Sequence, residues 1–179
     1  MDVQLTRTQA ELGEARRRAH AVADPLSDGV WSARPAPGAW SVAECLIHLN
    51  LTTRAFVPLI EQAIATGRAA PGPRAGHRMG WIGRLTWVMA TLNVPVNTTE
   101  RFVPAGLEPK GSVLTEFDTL QDRLAGCLVR ADGLDLGGLR VVSPFDGRLA
   151  YSLYAAFRLI PAHQRQHLRQ AERVVRKLT

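Results

Sequence analysis

The last thirty residues constrain most tightly what this chain can fold into. One stripe of side chains recurs there at gaps of three and four: Leu149, Leu153, Ala156, Ile160, His163, His167, Ala171 and Val174. That period is one face of a long α-helix, and such a face must be buried against other helices. Residues four apart on a helix lie one above the other. His163 and His167 therefore face the same interior, at a spacing that lets both imidazoles reach one metal ion, as in HExxH helices.

Three further segments carry helical stripes. Leu5, Thr8, Leu12, Ala15, Ala19, Val22 and Leu26 form the first, and Asp24-Pro25 with Ser27-Asp28-Gly29 mark its end. After a Pro/Gly loop over 33–40, Ser41 and Glu44 have the Ser-x-x-Glu spacing of a capping box. The helix they open runs toward Thr66-Gly67 on Val42, Cys45, Leu49, Phe56, Leu59, Ile60, Ala63 and Ile64, with a kink predicted at Pro58. Ser112 is read as the cap of another, with Val113, Phe117, Leu120, Leu124 and Leu128 on one face. A bend is predicted at Pro161 in the last helix, whose stripe starts at Leu149. Residues 68–80, 93–111 and 130–144 read as loops. Trp81–Leu92 is a dense apolar patch, read as a short helix that covers a site or joins a subunit interface. No strand pair is predicted. The reading is an all-α four-helix bundle with long loops and one extra short helix, a single domain over 1–179.

A chain of 179 residues can bury a sizeable core without disulfides or structural metal, so a metal here is expected to be functional. Cys45 and Cys127 are expected to be free, buried thiols. No apolar run is long enough for a transmembrane helix, and Met1-Asp2-Val3-Gln4 lacks the order of a signal peptide, so the expectation is a cytoplasmic protein with no membrane partner. The net charge of +6 raises nucleic acid as a partner. The arginines are spread thinly, and the densest run, Arg16-Arg17-Arg18, reads as a solvated face opposite an apolar one, so no nucleic acid is expected.

His48 lies far from the terminal pair, four residues after Glu44. Two neighbouring buried imidazoles need partners for four ring nitrogens, which a metal supplies more readily than a core. Glu44 reads either as the cap or as a carboxylate that orients a ligand or takes a proton. Cys45 reads as core or as a group turned toward the metal. Trp40 reads as packing beside the helix start. His20 and His77 look unconnected to the site.

The run Pro37-Gly38-Ala39-Trp40-Ser41-Val42-Ala43-Glu44, then His48-Leu49, then His163-Gln164-Arg165-Gln166-His167-Leu168-Arg169-Gln170-Ala171, resembles the DinB-like superfamily of four-helix proteins. Its pattern is W-S-x-x-E-x-x-x-H at a helix start and H-x-x-x-H in the last helix, and both are met in the right order. The resemblance implies His48, His163 and His167 as ligands of a divalent metal, zinc or nickel. It also implies one of two chemistries on a small molecule. Characterised relatives include thiol transferases and isomerases that use bacillithiol, mycothiol or glutathione, and others are taken to be hydrolases. In the transferase version a low-molecular-weight thiol is the cofactor, and Arg165 or Arg169 contacts its acidic group or is simply solvated. Residues 68–111 show no family signature and are expected to set substrate choice. The competing expectation is a non-catalytic binding or stress-response protein that forms a homodimer and has no functional metal.

Overall fold

The computed structural model describes residues 1–70, 76–91 and 99–179. Four long helices make the bundle: α1 Val3–Ala23, α3 Val42–Ala65, α5 Lys110–Ala131 and α6 Leu153–Leu178. The shorter α2 Asp28–Ser32 and α4 Gly80–Thr91 join them, so the described residues hold two extra helices rather than the one expected. α1 and α3 each pack against both α5 and α6, which sets α1 across the diagonal from α3.

The helix starts follow from local chemistry. Both halves of the capping box at α3 are made: the Glu44 N–H donates to Ser41 Oγ at 3.2 Å and the Ser41 N–H to Glu44 Oε2 at 2.8 Å. Ser27 does not only follow the first helix; it caps α2, which buries Trp31 and points its indole N–H at the Glu108 carbonyl, 3.2 Å away. α5 starts at Lys110, behind Pro109, so Ser112 lies inside its first turn and is not the cap. Pro109 is itself the N-cap residue; it makes no side-chain cap bond, and its carbonyl accepts the Val113 N–H at 3.2 Å. Pro58 and Pro161 lie within their helices and end neither.

One expectation fails outright. Arg140–Val142 (β1) and Ala150–Ser152 (β2) form an antiparallel pair in the register Arg140↔Ser152, Val141↔Tyr151 and Val142↔Ala150. Strands of three residues are too short to show a period of two. β2 runs straight into α6, where Ser152 caps the helix by accepting the Ala155 N–H. Leu149 is thus in the hairpin, 41 % exposed, and the buried stripe of α6 begins at Leu153.

The core comes in two apolar halves. One gathers Leu5, Leu12, Phe56, Ile60, Leu124, Leu128 and Tyr151, the other Ala19, Leu46, Leu49, Phe117, Leu168 and Val174. Between them runs a polar seam of buried groups: His48, Asn50, Thr52 and Thr53 on α3, Gln121 on α5 and Gln164 on α6. Gln121 Nε2 donates to Gln164 Oε1 across the bundle at 3.0 Å. Burying polar side chains at mid-bundle costs stability that apolar residues would not, so the seam marks where the fold serves something other than packing.

The apolar patch at 81–91 is striped, not uniform. Trp81, Leu85 and Met89 are exposed on α4, while Gly83 meets α6 so closely that a Cβ there would lie 2.5 Å from that of Ala155. Leu92 of that patch, residues 71–75 of the first long loop and 93–98 of the second lie outside the described residues. No helix among the described residues is long and apolar enough to cross a membrane.

Candidate metal centre

The seam brings together the three histidines singled out in the sequence. His48 comes from α3, and His163 and His167 from successive turns of α6. One nitrogen from each lies within 4.8 Å of the other two. Ring centroids are 5.1 Å apart for His48 and His163, 4.4 Å for His48 and His167, and 4.6 Å for His163 and His167. His48 is buried and the α6 pair half-buried.

The outer nitrogens decide what the inner ones can do. His48 Nδ1 sits 2.8 Å from the Phe102 carbonyl, which can only accept, so Nδ1 carries the hydrogen and Nε2 of the neutral ring keeps its lone pair. His167 Nδ1 is tied in the same way to Gln170 Oε1 at 3.0 Å. His48 Nε2 and His163 Nε2 face each other at 3.2 Å. Two nitrogens that share a tetrahedral ion at about 2.0–2.1 Å lie about 3.3 Å apart. A hydrogen on His163 Nε2 would satisfy His48, but no protein donor is found for His167 Nε2 among the described residues. The donor set, its spacing and its fixed outer tautomers all fit a divalent ion.

The rings are held neutral. Burial pushes the His48 pKa down against the opposing Phe102 hydrogen bond. His163 lies well below the ordinary value because of burial and then the charges His167 and His48 would carry. Burial and His48 bring His167 to about 3. At neutral pH all three are ready-made ligands with no proton to displace.

A family model described as the DinB superfamily matches residues 11–171. The chain belongs to that superfamily. No curated protein and no solved structure matches it.

This DinB-superfamily site has walls that the sequence did not announce. Trp40 stacks on His167 at 5.8 Å and tilts against His48 at 5.0 Å, so it packs on the site and not merely beside the helix start. Phe145, from the unforeseen hairpin, lies 6.0 Å from His163 and packs edge-on to Phe56 and Phe102. Phe102 sits in a short 3-10 turn, Glu100–Phe102, in the loop expected at 93–111. Gln170 had a signal, since it follows His167 by one helical turn.

The remaining candidates are placed elsewhere. Both oxygens of Glu44 are engaged, by the Ser41 N–H and by the Arg34 guanidinium. Burial would raise its pKa, but Arg34 and Ser41 outweigh this and hold the carboxyl below the usual range. The cap is the role this geometry supports. Cys45 is a free, buried thiol pushed up to about 12 by burial and by Glu44, so it stays protonated core. Cys127 is also free and buried. His20 bridges Asp24 and Asp118, and His77 lies against Tyr154, so neither joins the cluster. Arg16, Arg17 and Arg18 are each ion-paired, with Asp122, Glu14 and Glu172. Gln170→Ala is expected to weaken zinc binding about 10–100-fold by releasing the His167 ring, without unfolding the chain. A competition titration against a chelating dye reads this directly.

Proposed function

We propose that this protein is a metal-dependent enzyme acting on a small molecule by thiol transfer or hydrolysis. Membership of the DinB superfamily and the three-histidine cluster fit a metal-dependent enzyme. The observation that carries the reading is the convergence of the three imidazoles, with the outer nitrogens of His48 and His167 already tied. His48, His163 and His167 would hold the ion, and zinc or nickel both suit such a set. Three neutral ligands leave the ion its full charge and open positions, so it supplies Lewis-acid chemistry to an oxygen or sulfur donor.

The chain's own groups supply the rest. Trp40 packs on His167 and Phe145 on His163, so each covers part of the cluster with apolar surface. Phe102 and Gln170 fix ring orientation. Glu44 anchors the helix start that carries His48. Arg165 and Arg169 line a cleft on α6, where they can meet the acidic group of a thiol cofactor or substrate.

The decisive measurement is elemental analysis of untagged protein beside His48→Ala. About one zinc or nickel per chain, lost in the variant, is the expected result. No metal in the wild type after both ions are added would overturn the reading in favour of a non-catalytic binding protein.

A further inference from the structure

On α6, next to the histidine face, Arg165, Arg169 and Arg173 recur every four residues. All three line one cleft of about 260 Å³ that runs between α6 and the end of α4, with Gln166, Ala162 and Thr91 completing its wall. Like charges at this spacing on one helix repel one another. Many of the other arginines meet carboxylates, Arg18 with Glu172, Arg54 with Glu116 and Arg123 with Glu61, whereas among the described residues Arg84, Arg101 and Arg176 do not. Here only Arg165 has one, Glu11 at 3.6 Å. Among the described residues no ion pair engages Arg169 or Arg173. A concave site lined by three cations with a single carboxylate partner among them is electrostatically suited to an anion.

We propose that this cleft binds an oxyanion, a carboxylate or phosphate group of the small molecule on which the protein acts. Arginine suits the task better than lysine, because its planar fork meets two oxygens at once. The cleft lies just under the about 300–1,000 Å³ usual for small-molecule sites, so it takes one charged group and a short stem. The small side chain of Ala162 leaves the room. Gln166 offers an amide beside the guanidinium groups and is the sequence neighbour of His167. A ligand held here lies against α6, the helix that carries His163 and His167 on a neighbouring face. That the ligand is the substrate rests on the metal-enzyme reading, whereas the anion site itself does not.

The test uses metal-free protein titrated with inorganic phosphate and, separately, with succinate, followed by calorimetry. Saturable binding is expected with at least one probe, weakened about tenfold or more in the Arg169→Gln/Arg173→Gln double variant and weakened by added sodium chloride. Both arginines are exposed, so the double variant should fold, and unchanged circular dichroism checks this. Zinc uptake by the double variant should equal that of the wild type. Response to phosphate alone assigns a phosphate group, and response to succinate alone a carboxylate. No saturation with either probe, or equal binding by the double variant, overturns the proposal. Anion binding that persists in a protein unable to take zinc would instead overturn the metal reading and leave the cleft assignment standing.

Discussion

In a His163→Ala variant, zinc affinity is expected to fall at least about 100-fold while the metal-free chain keeps its fold. His163 Nε2 faces His48 Nε2 at 3.2 Å, so without it two nitrogens remain and a three-ligand site is lost. The fold should survive because the ring is half-buried in the polar seam and not part of either apolar half. The same variant separates metal chemistry from acid stability. The pKa of each histidine in the cluster is lowered by folding, that of His167 to about 3. Unfolded chains then bind more protons than folded ones between the folded value and about 6.5. Stability is complete above about 6.5 and declines as pH falls through that window, by up to about 1.4 kcal/mol per pH unit for each ring. Metal-free His163→Ala, with one such ring fewer, should lose less stability between neutral and acid pH than the wild type. Urea denaturation at several pH values measures both slopes, and parallel slopes would show that His163 titrates freely in the folded chain.

Much of this was legible in the residues, and the parts that were not share a physical cause. The bundle helices announce themselves because stripes such as Leu120, Leu124 and Leu128 repeat over many turns. His163 and His167 were legible because helical spacing alone fixes their common face. His48 was legible as a ligand only through the family resemblance, since no local pattern says that α3 and α6 will touch at that level. The walls were invisible for the same reason. Phe145 reaches the site from a hairpin whose strands are three residues long, and the Phe102 contribution is a backbone carbonyl, which no sequence position advertises. Short elements and main-chain groups act through tertiary placement, and periodicity carries no record of it. Helix boundaries erred in the same direction. Leu149 keeps the spacing of the stripe yet belongs to the hairpin, because a gap of four says nothing about where the first hydrogen-bonded turn begins.

The largest stability effect should come from a charge outside the candidate site. Arg158 is a buried guanidinium on α6, with Nη2 3.0 Å from Glu11 Oε1 and Nη1 3.3 Å from the Thr8 hydroxyl. Removing one partner of a buried ion pair strands the other charge in a medium that solvates it poorly, at a cost of about 3–5 kcal/mol. Glu11 is itself only mostly buried and also meets Arg7 and Arg165, so Glu11→Ala is expected to cost about 3 kcal/mol. Replacing the arginine instead removes the charge along with its need, and Arg158→Met should be close to neutral. The double variant then decides the cause. If the stranded guanidinium is responsible, Glu11→Ala/Arg158→Met should recover most of the loss in urea midpoint. If it recovers none, the cost of losing Glu11 belongs to Arg7 or Arg165, and Glu11 would then be the group that holds Arg165 at the mouth of the α6 cleft.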